Sequence, residues 1–177
     1  MGETIRVNSI DALTEYRATI MKNLETGLEQ TKMMLETTDT LTFFKNAKFE
    51  RTVIDPLSGK SENLIEVINQ CHTYLVSLMA AEYLLKKYSG VSFSINLGNI
   101  SGYDIESDDA QIIAECFAAT SYKSNSKLTK DLKRLSENQK AIHKYEFFFD
   151  KEFTEKSKEY YQKKYPDIEI VKFLDIR

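Results

Sequence analysis

The run IIAECFAA, residues 112–119, constrains the fold of this chain more than any other stretch. It is apolar enough to belong in the middle of a sheet, yet it carries Glu115, and an unpaired carboxylate in such a place is expensive. The preceding residues supply the sheet. VSFSINL, residues 91–97, alternates cleanly: Val91, Phe93, Ile95 and Leu97 share one face, with serines and Asn96 on the other. GYDIES and QIIAECFA then read as two more strands, near 101–106 and 111–118, with a bend at 107–110. Three antiparallel strands in a meander are expected.

Helices bracket that meander. One covers about 61–88 and stops at Ser89-Gly90; another covers about 126–140, with Leu128, Leu132 and Leu135 inward. KYEFFF reads as a strand, TEKSKEYYQKKY as a helix and DIEIVKFLDI as a last strand. Upstream, residues 9–37 read as one long helix capped by Ser9. TLTFFKNAKFER is a second helical piece, and IDPLSGKSEN is a break. The expected class is α/β (α+β): a central mixed sheet with an antiparallel meander, flanked by helices, plus a long N-terminal helix. A single domain over 1–177 is expected, with 1–60 as a helical extension and 61–177 as the core.

With 177 residues, 42% of them apolar, the chain can bury a proper core. Its net charge of −3 gives no global basic field for nucleic acid, so any such binding must use local basic stripes. The 2 cysteines, Cys71 and Cys116, lie among apolar neighbours, as small buried hydrophobes in a reducing compartment. MGETIRVNSI has no basic-then-apolar signal, and the greasiest run, YLVSLMAAEYLL, is too short to span a bilayer. A cytoplasmic protein with no membrane partner is expected.

Asp104 and Glu115 are the chemical candidates. If Ser107 pairs with Ala110, Asp104 lies diagonal to Glu115, roughly 7–8 Å away. Two carboxylates, helped by the carbonyl of Cys116, suffice to hold one magnesium ion, which keeps several waters of its own. Such an ion activates water and offsets charge on a phosphate. The alternative is a solvent-facing strand pair with acids on its wet side.

Over roughly residues 61–150, the order of elements resembles the PD-(D/E)XK restriction-endonuclease-like nucleases. Their core is a helix, a three-stranded meander, a helix and a further strand, with Asp on the second strand and Glu-x-Lys on the third. The resemblance implies a Mg2+-dependent DNA endonuclease in which Asp104 and Glu115 hold metal and Glu66, on the preceding helix, assists. It also implies a homodimer, because both strands must be cut, with the helix 9–37 as the interface. The motif departs from the pattern at two places: Tyr103 stands for the Pro, and Phe117 stands for the lysine. A phenyl ring cannot stabilise a developing charge. Either the site is dead, leaving a nucleic-acid- or protein-binding module, or another cation reaches in. Lys123 and Lys127, just past the strand, are the nearest. Lys127 is preferred, on a helix capped by Ser124-Asn125-Ser126. Lys123, Asn125, Lys127 and Lys130 would line a phosphate backbone. A protein without nuclease kinship, dimerising through its first helix, is the third reading.

Overall fold

The computed structural model describes residues 2–98 and 100–176. Among them are five α-helices, a six-stranded mixed sheet and a two-stranded sheet. The chain divides into two compact units. Met1–Ile10 and Thr73–Arg177 form one; Asp11–His72 forms the other, and the division falls inside a helix.

The first unit holds the six-stranded sheet. Its strands are β1 (Glu3–Val7), β4 (Phe93–Leu97), β5 (Ile105–Ser107), β6 (Ile112–Ala118), β7 (His143–Phe149) and β8 (Ile168–Phe173), in that spatial order. The pairs from β1 through β6 are antiparallel, and β6–β7 and β7–β8 are parallel. The parallel pairs need crossovers, which α4 (Lys127–Glu137) and α5 (Glu155–Lys164) provide. The expected meander and mixed sheet are therefore present. The edge strand β1 is additional: in ETIRV only Ile5 and Val7 alternate, too short a signal to stand alone.

The two sheet faces differ in what covers them. Phe93, Ile95, Ile105, Ala114, Cys116, Tyr145 and Phe147 share one face and are all buried. The C-terminal part of α3 (Leu64–Lys87) packs on it, with Tyr83 edge-on to Phe147 at 5.3 Å. The opposite face carries Ile113, Glu115, Phe117, Glu146 and Phe148, and α4 covers it through Leu128, Leu132 and Leu135. These leucines recur at helical spacing, as the sequence pattern requires.

The unit Asp11–His72 contains most of α1 (Ile10–Thr37), with α2 (Thr40–Phe49), the hairpin of β2 (Val53–Ile54) and β3 (Ser61–Glu62), and the start of α3. Asp39 caps α2 by accepting from the Leu41 and Thr42 N–H groups. Asp55 organises the β2–β3 turn by accepting from the Leu57 and Ser58 N–H groups.

Two local expectations are corrected. The β5–β6 register is Ile105↔Ala114 and Glu106↔Ile113, two residues from the pairing expected of a tight turn closed by Ser107 and Ala110. The turn at 107–110 does form, with an Ala110 N–H to Ser107 carbonyl bond of 2.8 Å. Side chains lengthen the loop: Asp109 Oδ1 accepts from the Ser107 hydroxyl and the Gln111 N–H, and Ser107 Oγ accepts from the Ile112 N–H. A shift of two leaves every side chain on its original face. The second correction concerns the start of α4. No side chain caps it; Asn125 and Ser126 adopt left-handed φ angles of 53° and 56°, and a 3-10 turn over Ser124–Ser126 leads into the helix.

Phe117 is part of the core. It is 4% exposed and stacks on Phe148 with centroids 5.1 Å apart and planes 4° from parallel. Phe117→Lys would break the ring stack and bury an ammonium in the leucine-covered core, with only the already buried Glu115 and Glu146 on the same face. We expect it to cost on the order of 3–5 kcal/mol in a urea or thermal melt. An unchanged midpoint would show that the ring does not hold the β6–β7 pair.

Candidate active site

Asp104 is the residue before β5, on the α4-covered face, one step beyond the last ladder pair Ile105↔Ala114. That step places it beside Glu115. The contact is fixed by the backbone: the Cys116 N–H donates to Asp104 Oδ2 at 2.7 Å. The carboxylate thus does what a carbonyl would do if the strand continued, and the ladder gives way to a side chain where the sheet meets the site.

Glu115 lies in the centre of β6 and is fully buried. Its neighbour across the parallel ladder is Glu146 of β7, also fully buried and on the same face. Neither oxygen of either side chain makes a hydrogen bond of good geometry. Two adjacent glutamates in an apolar sheet are costly unless cations or protons offset them.

The cations come from α4. Lys127, Asp131 and Arg134 are spaced i, i+4, i+7 and so share a stripe beside the leucine face. Lys127 Nζ lies 2.8 and 3.0 Å from the two oxygens of buried Asp131. Arg134 Nη1 lies 2.8 Å from Glu115 Oε1, an ion-pair contact without hydrogen-bond angles. Arg134 also donates through Nη2 to the Gly102 carbonyl and lies over the Tyr103 ring at 4.7 Å. One guanidinium therefore joins α4, the loop before Asp104 and the central glutamate.

Four carboxylates, Asp104, Glu115, Asp131 and Glu146, share this pocket with two cations, Lys127 and Arg134. Two negative charges remain. The titration behaviour follows. Burial, then the Asp104 charge, pushes Glu115 up to about 8, although Arg134 pulls the other way. Burial, then Asp131 and Glu115, holds Glu146 well above the ordinary carboxylate range. Burial raises Asp131 despite its lysine. For Lys127, burial works against the charge, but Asp131, Asp104 and Glu115 outweigh it and the net shift is upward. An ammonium held this firmly is a donor and an electrostatic stabiliser, not a base.

The structure thus gathers Asp104, Glu115 and Lys127. It does not bring Lys123 to the acids; the ammonium lies over the Tyr122 ring at 5.4 Å. Asn125 and Lys130 are exposed on the 3-10 turn and on α4. Glu66 is exposed in the first turn of α3, within the unit Asp11–His72, and its N–H is capped by Asn63 Oδ1 at 2.9 Å. Lys127 itself departs from expectation, being tied to a buried aspartate and not simply solvated. Glu146 and Asp131 are additions; Arg134, which with Lys127 and Lys130 forms a basic stripe that reads as surface charge, is instead paired with buried Glu115. KYEFFF has the signature already used for IIAECFAA, an acid amid apolar residues, and Asp131 stands i+4 from Lys127.

Among the described residues, no three His, Cys, Asp or Glu side chains are gathered as a ready metal centre. The donor set nevertheless suits magnesium, which takes hard oxygens, needs only one or two protein carboxylates and keeps its waters. Asp104 and Glu115 are the carboxylates on offer, and Glu115, fully buried, is already paired through Oε1 with Arg134. No helix among the described residues is long and apolar enough to cross a membrane. No family model, no curated protein and no solved structure matches this chain.

The sign of the pH dependence follows from Glu115. Its folded-state value is raised from 4.5 to about 8, so between those values the folded chain holds a proton that the unfolded chain has lost. In metal-free buffer, stability is fully present below 4.5 and falls as pH rises toward 8, by about 1.4 kcal/mol per pH unit for one proton. Glu115→Gln should reduce this slope in urea melts by the share of one proton, leaving the part of the same sign that Glu146 and Asp131 contribute. An equal slope in the variant would assign it to another group.

Proposed function

We propose that this chain is a magnesium-dependent endonuclease of restriction-endonuclease-like fold, hydrolysing phosphodiester bonds in DNA. The observation that carries the reading is Lys127: with Phe117 stacked in the core where the motif lysine belongs, an ammonium from the next helix stands over the acids instead. The order helix, antiparallel meander, helix, parallel strand supports the fold assignment.

Asp104 and Glu115 would hold the ion, which supplies a water made acidic enough to attack at neutral pH. Lys127 donates to a phosphate oxygen and stabilises the charge that grows there, pre-aimed by Asp131. Phe117 and Phe148 stack on the same sheet face as the acids. Lys123, Asn125 and Lys130 are exposed around the start of α4 and meet the phosphate backbone. Two copies would serve the two strands, joined through α1, which exposes Leu28, Met33 and Leu35. Glu66 belongs to this proposal only if substrate binding brings it to the acids. A second reading, the fold without catalysis, is favoured by one observation: Arg134 already occupies the carboxylate that the ion needs.

The test is cleavage of varied duplex DNA with Mg2+. The wild type should cut, and Asp104→Ala and Lys127→Ala should each lose about 10²–10³ in rate. Lys127→Ala should also lose about 1–3 kcal/mol of stability, because Asp131 is left buried alone. Adding Asp131→Asn to it should restore the melt but not the activity. Wild-type protein that binds no divalent ion and cuts nothing would leave the non-catalytic scaffold.

A further inference from the structure

Arg134 makes three contacts that no single structural task requires. Its guanidinium pairs with Glu115, caps the Gly102 carbonyl and stacks on Tyr103, while the side chain stays 45% exposed. The last fact matters most. The guanidinium reaches the buried glutamate from a side chain that remains open to solvent. Nη1 meets Glu115 while Nη2 is spent on the Gly102 carbonyl, so the pair is not the bidentate fork that arginine makes at its strongest.

We propose that Arg134 is a built-in competitor of the divalent cation: in the metal-free protein its guanidinium pairs with Glu115 once that carboxyl ionises, and it must leave before the ion can be held. The inference rests on the reading of Asp104 and Glu115 as cation ligands. Displacement does not strand the guanidinium. The Gly102 carbonyl and the Tyr103 ring keep it at the rim, where a phosphate oxygen is a bidentate partner of the kind arginine favours. Lys127 cannot play this part, because its partner Asp131 is on its own helix and stays with it.

The experiment is calorimetric titration of the full chain with MgCl2 and with MnCl2. Losing a charge-assisted contact of this kind is worth at least about tenfold in an equilibrium, so Arg134→Gln should bind the ion about tenfold more tightly than the wild type. Arg134→Lys keeps the charge but loses the fork and should tighten binding by less. Lys133→Gln removes an exposed charge from the same helix, one paired with Glu137, and should leave the affinity unchanged. Equal affinity in wild type and Arg134→Gln, with Asp104→Ala abolishing binding, overturns the competitor while the metal site stands. Equal tightening by Lys133→Gln also overturns it, by reducing the effect to net charge. If Arg134→Gln melts too low to titrate, Arg134→Lys decides by the same comparison. No binding by the wild type or either Arg134 variant overturns the inference together with the ligand reading.

Discussion

The organisation of the sheet unit depends on one electrostatic constraint: Glu115 and Glu146 stand side by side on adjacent parallel strands, fully buried. Two carboxylates in that position repel each other and are cut off from water. Asp104 and Asp131 add to that cost, and the cations of α4 offset part of it. α4 brings Lys127 and Arg134 on one stripe, Asp131 fixes the lysine, and the loop through Gly102 and Tyr103 holds the arginine. Protons supply the rest, which is why Glu115 stays protonated to about pH 8.

The same constraint links fold to chemistry. A sheet built for stability alone would place apolar residues at 115 and 146, since hydrophobic replacements of buried ion groups are often neutral or stabilising. Two acids retained in the best-covered part of the sheet are therefore better explained by a task than by packing. Phe117 makes the complementary point: on the same face as the acids it is given to ring stacking, and the cations beside the acids come from α4.

Much of this was legible in the sequence. The alternation in VSFSINL, the acid within IIAECFAA and the leucine spacing of α4 each report a local period, and the meander and its covering helix follow from them. What escaped had no local period. The β5–β6 register was decided by hydrogen bonds of Ser107 and Asp109 that two-strand pairing arguments do not include. Glu146 was invisible as a neighbour of Glu115 because parallel strands meet only through a crossover, so their register is written nowhere in the intervening sequence. The helix start misled for a similar reason. Serines and an asparagine there suggest a side-chain cap, but the left-handed turn at Asn125 and Ser126 takes its place. The i+4 spacing of Lys127 and Asp131 was readable, and it ties a half-exposed lysine to a buried aspartate.

The parallel pairing of β6 with β7 also bears on the order in which the chain can assemble. The acids lie on the two strands, and their cations lie on the helix that connects them. Pairing β6 with β7 before α4 docks would set two like charges side by side without their counter-charges, and docking α4 first would leave its leucines without a surface. Neither half-formed state is favourable, so strand, helix and strand must condense together. The crossover behaves as one cooperative folding unit because its charges are divided between its parts.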